Sequence, residues 1–180
     1  GFGLTATSLM MSAVFAAVLM LQFRQRRYVP WIYWATVVLI SIVGTLVTDN
    51  LVDNFGVTLP TTTIAFSAAL AATFAIWYAI EGTLSIHTIY SFRREAFYWL
   101  AILFTFALGT SVGDLVAEQF AIGYLATGML FAAIIAVIAV TWYVLRTNGI
   151  LAFWLAYILT RPLGASFGDL LSQPIEYGGL

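Results

Sequence analysis

The chain of 180 residues has no cysteine and no lysine, one histidine, four prolines, and few charges of either sign. Without cysteine there is no disulfide, no thiolate metal site and no cysteine nucleophile. Without lysine there is no amine for a Schiff base, and all seven cations are arginines. Charged residues make up 8% of the chain, against roughly 25% in soluble domains. Seven basic and eight acidic residues cannot solvate the surface of a 19.7 kDa globule. A net charge of -1 with no basic stripe excludes a nucleic-acid partner. What is abundant is hydrocarbon. The composition is 62% hydrophobic and the mean hydropathy is +0.99, the signature of a chain dissolved in lipid.

A membrane helix needs about 20 mostly apolar residues, and the breaks in the sequence separate six such runs. They cover residues 5–23, 30–51, 59–80, 96–120 and 124–145, and a last run that follows 146–149 and ends near Gln173-Pro174. The runs are continuous and lack the alternation of a lipid-facing barrel strand. The expected fold is therefore all-α, a polytopic transmembrane bundle of six spans forming a single membrane domain over 1–180. The first run is not a signal peptide, because its positive charge follows the apolar stretch. Arg24, Arg26, Arg27, Arg93, Arg94 and Arg146 all fall after odd-numbered spans, which places those loops in the cytoplasm by the positive-inside rule. The six tryptophans lie in the same halves of their spans, as one side of an interfacial belt.

An internal repeat carries the polar residues. Span two contains Gly44-Thr45-Leu46-Val47-Thr48-Asp49, span four Gly109-Thr110-Ser111-Val112-Gly113-Asp114, and span six Gly164-Ala165-Ser166-Phe167-Gly168-Asp169. Three matches at equivalent depth imply three parallel two-helix repeats, at about 30–90, 95–147 and 148–180, after a half repeat at 1–27. Gly44, Gly109, Gly113, Gly164 and Gly168 are expected to let helices approach closely in lipid. Thr48 stands where the other repeats have a second glycine, so looser contact is expected there.

Acids within a membrane helix are costly and point to function. Asp49, Asp114 and Asp169 recur at one depth. Asp53 and Glu118 each lie four residues beyond a motif aspartate, on the same helical face; the third repeat has Gln173 instead. These acids sit in the last turns of their spans, where surface hydration is the competing explanation. Arg161 is the most costly residue. It lies mid-span with Pro162 directly after it, and a proline breaks or kinks a helix. An arginine beside such a break is expected to face a cavity or an acid. Glu81, His87, Arg93 and Arg94 form a second polar group in the connection after span three. They are a candidate cytoplasmic proton or anion site, set against an ordinary hydrogen-bonded loop histidine. A single histidine makes no metal site by itself, and the identity of any metal is left open.

Longer stretches carry a family resemblance. Glu81-Gly82-Thr83-Leu84-Ser85-Ile86-His87, Arg93-Arg94-Glu95-Ala96-Phe97-Tyr98-Trp99, Phe106-Ala107-Leu108-Gly109-Thr110 and Phe153-Trp154-Leu155-Ala156-Tyr157-Ile158-Leu159-Thr160-Arg161-Pro162-Leu163-Gly164-Ala165 resemble a bacterial family of repeat-containing integral membrane proteins of unknown function. The resemblance covers essentially the whole chain and implies a bacterial inner-membrane location. It also implies about four repeats, so that further segments at the two ends, or an oligomer, would complete the bundle. It implies no activity.

Three functions compete on the residues alone. The first is a transporter or ion-conducting protein, for a proton or a hard cation held by oxygen ligands at the motif aspartates. The second is a structural or regulatory subunit of a larger membrane complex, with the acids and Arg161 as internal glue. The third is a membrane enzyme using Glu81 and His87, which requires those two side chains to converge; no nucleophile elbow, metal cluster or nucleotide loop supports it. No cofactor is expected. The expected partners are the lipid bilayer and either a homo-oligomer or a larger complex.

Overall fold

A computed structural model describes the chain except Gly1, Phe2, Arg26, Ala121 and residues 176–180, and except the side chain of Glu118. The described residues form helices and no strand. The helices are α1 (Leu4–Arg24), α2 (Pro30–Asp49), α3 (Leu59–Glu81), α4 (Phe92–Asp114), α5 (Tyr124–Leu145) and α6 (Gly149–Ser172). All six are long and apolar enough to cross a bilayer, and the chain is a multi-pass membrane protein. Large apolar side chains such as Leu9, Trp31, Ile64, Met129, Val137 and Leu171 are exposed, as lipid-facing surface should be.

Local chemistry sets the ends. Pro30 and Pro60 sit in the first turns of α2 and α3, where a missing N–H costs nothing. The Asn148 side chain caps α6 by accepting from the N–H groups of Ile150 (2.9 Å) and Leu151 (3.3 Å). Gly82 ends α3 in the left-handed region, at φ 69°. The fourth helix begins at Phe92, four residues before the expected start, so Arg93, Arg94 and Glu95 lie in its first turn and not in a loop. The sixth helix runs through Pro162 without interruption. The break expected after Arg161 is therefore absent. The Pro162 carbonyl accepts from Ser166 Oγ at 2.8 Å, so polar bonding continues beyond the proline.

The repeat is visible in the backbone. A single π-helical turn follows α2 at Asn50–Asn54, and another follows α4 at Leu115–Gln119. The turns are offset by the same 65 positions (109 − 44) that separate Gly44 from Gly109. The starts of α3 and α5, at Leu59 and Tyr124, repeat that offset.

The chain divides into two compact units, Gly1–Ala107 and Leu108–Leu180. In the first unit α1 packs along α2, yet no α1 residue is buried. Ile32, Thr36, Ile40, Val43, Gly44 and Thr48 make the buried stripe of α2, and Thr62, Phe66, Leu70, Thr73 and Trp77 that of α3, both at helical spacing. Trp77 stacks on Phe97, with ring centroids 6.2 Å apart. Tyr33 and Tyr98, which occupy the same repeat position, share a hydroxyl–hydroxyl bond of 2.7 Å. In the second unit α5 packs along α6. Its buried residues are confined to its first two turns, at Tyr124, Thr127, Gly128 and Phe131.

Candidate functional site

The side chains that matter lie around the motif ends of the even-numbered helices. Asp49 closes α2 and Asp114 closes α4, each immediately before a π-helical turn; Asp169 lies in the last turn of α6, which stays α-helical. All three aspartates are half-buried and all three engage neighbouring groups. Asp53 is exposed, and the Glu118 side chain lies outside the described residues. Every buried polar residue described is a threonine or serine: Thr36, Thr48, Thr62, Thr73, Thr105, Ser111, Thr127 and Ser166. A neutral hydroxyl costs less to bury than a carboxylate, which explains why the acids stop at half-burial.

The π turns are held by wide backbone bonds. Phe55 N–H donates to the Asn50 carbonyl and Phe120 N–H to the Leu115 carbonyl, each at 3.1 Å. Val57 N–H then reaches back to Leu51 at 2.9 Å, and Gly123 N–H to Ala117 at 3.1 Å. Gly56 and Gly123 close these ends at φ 66° and 82°, where a side chain would be strained. Sequence reasoning missed the π turns, and it missed the amides that use the first of them. Asn50 Nδ2 donates to Ser8 Oγ (2.5 Å) and to the Leu46 carbonyl (2.7 Å). Asn54 Nδ2 donates to Asn50 Oδ1 (2.7 Å) and Thr5 Oγ1 (3.3 Å). The available signal was the Asn50–Asn54 spacing of four beside Asp49 and Asp53.

The glycines divide sharply. A Cβ on Gly44 would stand 2.6 Å from Phe106 Cβ and 3.2 Å from the Ala107 nitrogen. A Cβ on Gly109 would collide with Arg161 Cβ and lie 3.3 Å from the Arg161 Cα and carbonyl carbon. Gly113 lies against Ala165 and Pro162, at 3.5 and 3.7 Å. Among the described residues nothing lies within 4 Å of a Cβ placed on Gly164 or Gly168, and both residues are exposed, so neither packs against a described helix as expected. Thr48 departs from expectation in the other direction. Its Oγ1 donates to the Ala107 carbonyl at 2.9 Å, which makes a hydrogen-bonded crossing in place of a loose one.

Arg161 is half-buried and engaged with neighbours, and its guanidinium carbon sits 5.7 Å from the centroid of the Tyr157 ring. Its stem fills the notch left by Gly109, so one missing side chain on α4 fixes where the cation enters the fold.

At the other ends of the helices Glu81 is bound by two arginines. Arg93 Nε donates to Oε1 at 2.7 Å and Arg94 Nε to Oε2 at 2.6 Å. Arg94 Nη1 also donates to the Thr88 carbonyl at 2.9 Å, which ties down the connection between α3 and α4. His87, on the turn Ile86–Thr88, is exposed and takes no part in these bonds. The convergence of Glu81 and His87 that an enzyme would need is not what the side chains do. Nearby, Glu95 Oε1 accepts from Gln22 Nε2 (2.9 Å) and Trp99 Nε1 (3.3 Å), joining α1 to α4. Among the described residues no three histidine, aspartate or glutamate side chains form a metal-sized group.

Neither a curated protein nor a solved structure shows significant similarity to the chain. A family model does match, three times over, at residues 32–83, 97–148 and 152–180. Each matched segment contains one Gly-to-Asp motif, and the first two have the 65-residue offset seen in the π turns. The chain belongs to the family built from the repeat of unknown function DUF347.

Proposed function

We propose that this protein moves a proton or a hard cation across the bacterial inner membrane, with Asp49, Asp114 and Asp169 as the groups that bind and release it. One observation carries the reading. A carboxylate stands half-buried at the same position of each repeat, and in two of the three it stands where an α-helix widens into a π turn. Such turns are frequent at functional sites, and they unsettle the regular backbone bonding around one residue. Buried hydroxyls close to the motifs, Thr48, Ser111 and Ser166, add neutral oxygen partners. Neutralising an aspartate in this setting removes most of the cost of moving it away from water. Helix pairs rocking about the glycine contacts would then alternate its exposure. The arginine distribution supports a cytoplasmic location for the ends bearing Arg24, Arg93, Arg94 and Arg146.

Reconstitution into liposomes tests this. Proton, sodium and potassium gradients are imposed in turn, and flux is followed with a pH-sensitive dye or a cation electrode. The expected result is flux of one of these ions, reduced at least about tenfold by Asp114→Asn and by Asp169→Asn, since a decade of rate needs only about 1.4 kcal/mol. Equal flux from both variants and the parent protein, or no flux of any of the three ions, refutes the proposal.

A further inference from the structure

Two buried hydroxyls at one repeat position behave differently. Thr62 on α3 and Thr127 on α5 are 65 positions apart (127 − 62), with relative exposures of 1% and 0%. Their backbones match: Thr62 N–H donates to the Thr58 carbonyl and Thr127 N–H to the Gly123 carbonyl, each at 3.0 Å. Thr62 Oγ1 donates back to its own helix, at the Leu59 carbonyl (2.9 Å). Thr127 has the same turn behind it and leaves that bond unmade; its hydroxyl has no hydrogen-bond partner among the described residues. A hydroxyl buried without a partner carries its full desolvation cost. The oxygen is closed off from solvent, so only something held inside the fold can relieve it.

The register of the second unit shows what surrounds this hydroxyl. Gly113 on α4 lies against Ala165 on α6, and Asp169 stands one turn beyond Ala165 on the same helical face. Gly128 on α5 lies against Phe167, and Ala117, Tyr124 and Leu170 form one buried cluster. On these contacts Asp114 and Ser166 share a level, and Thr127 and Asp169 fall within three residues of it, about 4.5 Å along the helix axis. The buried stripe of α5 that includes Thr127 faces this layer, because its neighbours Tyr124 and Gly128 make those contacts. Ser166 Oγ spends its proton on the Pro162 carbonyl at 2.8 Å, so its oxygen has only lone pairs left to offer.

We infer that Asp114, Thr127, Ser166 and Asp169 hold a desolvated hard metal cation, with Thr127 Oγ1 as a ligand that the Gly-to-Asp motif does not contain. This rests on the reading of the motif aspartates as ion-binding groups, and it narrows their cargo to a metal cation. A proton sits on one carboxylate oxygen and leaves Thr127 unbonded. A cation takes a lone pair from every oxygen around it. Oxygens of one such shell lie at most about 5 Å apart, twice a bond of about 2.3–2.6 Å, which the layer accommodates. Two carboxylates and two hydroxyls, without nitrogen or sulfur, suit a hard ion over a soft one.

Thermal unfolding of the full-length protein in nanodiscs, followed by tryptophan fluorescence, tests this. Choline, lithium, sodium, potassium, magnesium and calcium chlorides are compared at equal ionic strength. One of the metal cations is expected to raise the Tm of the parent protein progressively above its value in choline. Thr127→Val is expected to match the parent in choline and to need at least about tenfold more of that cation for the same stabilisation. Thr127→Ser keeps the oxygen and is expected to respond as the parent does. Thr105→Val removes a buried hydroxyl of the first unit and is expected to leave the response intact. A Thr127→Val protein that responds like its parent overturns the inference. So does one that shifts equally in every salt, which is the behaviour of a bound water. Two measurements do not require that variant to fold: a parent that no metal cation stabilises beyond choline, or an Asp169→Asn protein whose response is unchanged, also overturns it. The outcome is separable from transport. A cation response that depends on Thr127 supports the site even where liposomes show no flux, whereas proton flux without any cation response overturns the site and leaves the aspartates as proton carriers.

Discussion

Replacing Gly109 by alanine should be among the most damaging single-methyl additions available in this chain. The new Cβ would collide with Arg161 Cβ and stand 3.3 Å from the Arg161 Cα and carbonyl carbon. Unstrained carbons keep about 3.5–4.0 Å apart. Those Arg161 atoms are fixed to the α6 backbone, so no rotamer change relieves the clash and α6 itself must move. Overpacking costs about 1–3 kcal/mol in well-packed sites, and a backbone-anchored neighbour puts this case near the upper limit. Alanine returns about 1 kcal/mol through its better helix propensity. The net loss is about 2 kcal/mol, roughly a 30-fold fall in the ratio of folded to unfolded protein. Gly164→Ala is the control, because its Cβ meets nothing within 4 Å. In single-copy detergent particles it should be neutral or stabilising by up to about 1 kcal/mol. Reversible unfolding in mixed micelles reads both numbers. A Gly109→Ala protein as stable as its parent, or a Gly164→Ala protein that loses as much, would refute the packing argument.

Two further perturbations separate what the polar residues contribute. Thr48→Val removes the buried bond to the Ala107 carbonyl and should cost about 0.6 kcal/mol, the average for interhelical bonds in lipid, and at most about 1.7 kcal/mol. Thr105→Val removes a fully buried hydroxyl that has no hydrogen-bond partner among the described residues, and should be neutral or stabilising by about 1 kcal/mol in the same unfolding assay. Glu81→Gln removes the anion that two arginines share, and should speed amide hydrogen exchange in residues 82–91 severalfold while leaving the centres of α3 and α4 protected; unchanged exchange there would show that the connection is held by other contacts.

How much of this was legible in the sequence depends on the length scale of the force involved. Spans, count and repeat register were readable, because a continuous apolar run of membrane length has few other solutions and the Gly-to-Asp motif marks equivalent depth three times. The start of α5 and its end at Leu145 follow from polar breaks on either side. The start of α4 was read too late because arginines look like loop, although Arg93 and Arg94 in the first turn are held there by Glu81. Pro162 read as a break because proline removes one N–H; the helix continues, and a Ser166 bond supplies polar contact above it. The motif glycines share one sequence pattern but have two surroundings. Nothing in the residues themselves distinguishes Gly109, pressed on Arg161, from Gly164, which meets nothing within 4 Å among the described residues. The π turns were illegible for a similar reason, since one inserted backbone bond leaves no periodic trace.

That division of the glycines also constrains the functional site. The contact that seats Arg161 and the contact that crosses α2 over α4 are copies of one geometry, yet the residues entering the notch differ: phenylalanine in one, arginine in the other. Duplication has kept the backbone solution, while the chemistry inserted through it has diverged. The same holds at the carboxylates, where Asp49 and Asp114 precede a π turn and Asp169 does not. Three copies of a binding group that were equivalent in function would be expected to keep equivalent backbone surroundings, since local bonding sets how readily a carboxylate gives up its charge. Only the third repeat combines an arginine eight residues before its aspartate with an unbroken helix between them. If the three aspartates carry ions as proposed, they do so in unequal local surroundings. On the proposed function Asp169 differs from the other two in its backbone setting, and in the liposome assay Asp169→Asn is expected to reduce flux by a factor different from that of Asp49→Asn and Asp114→Asn; the same factor for all three would refute this inequality.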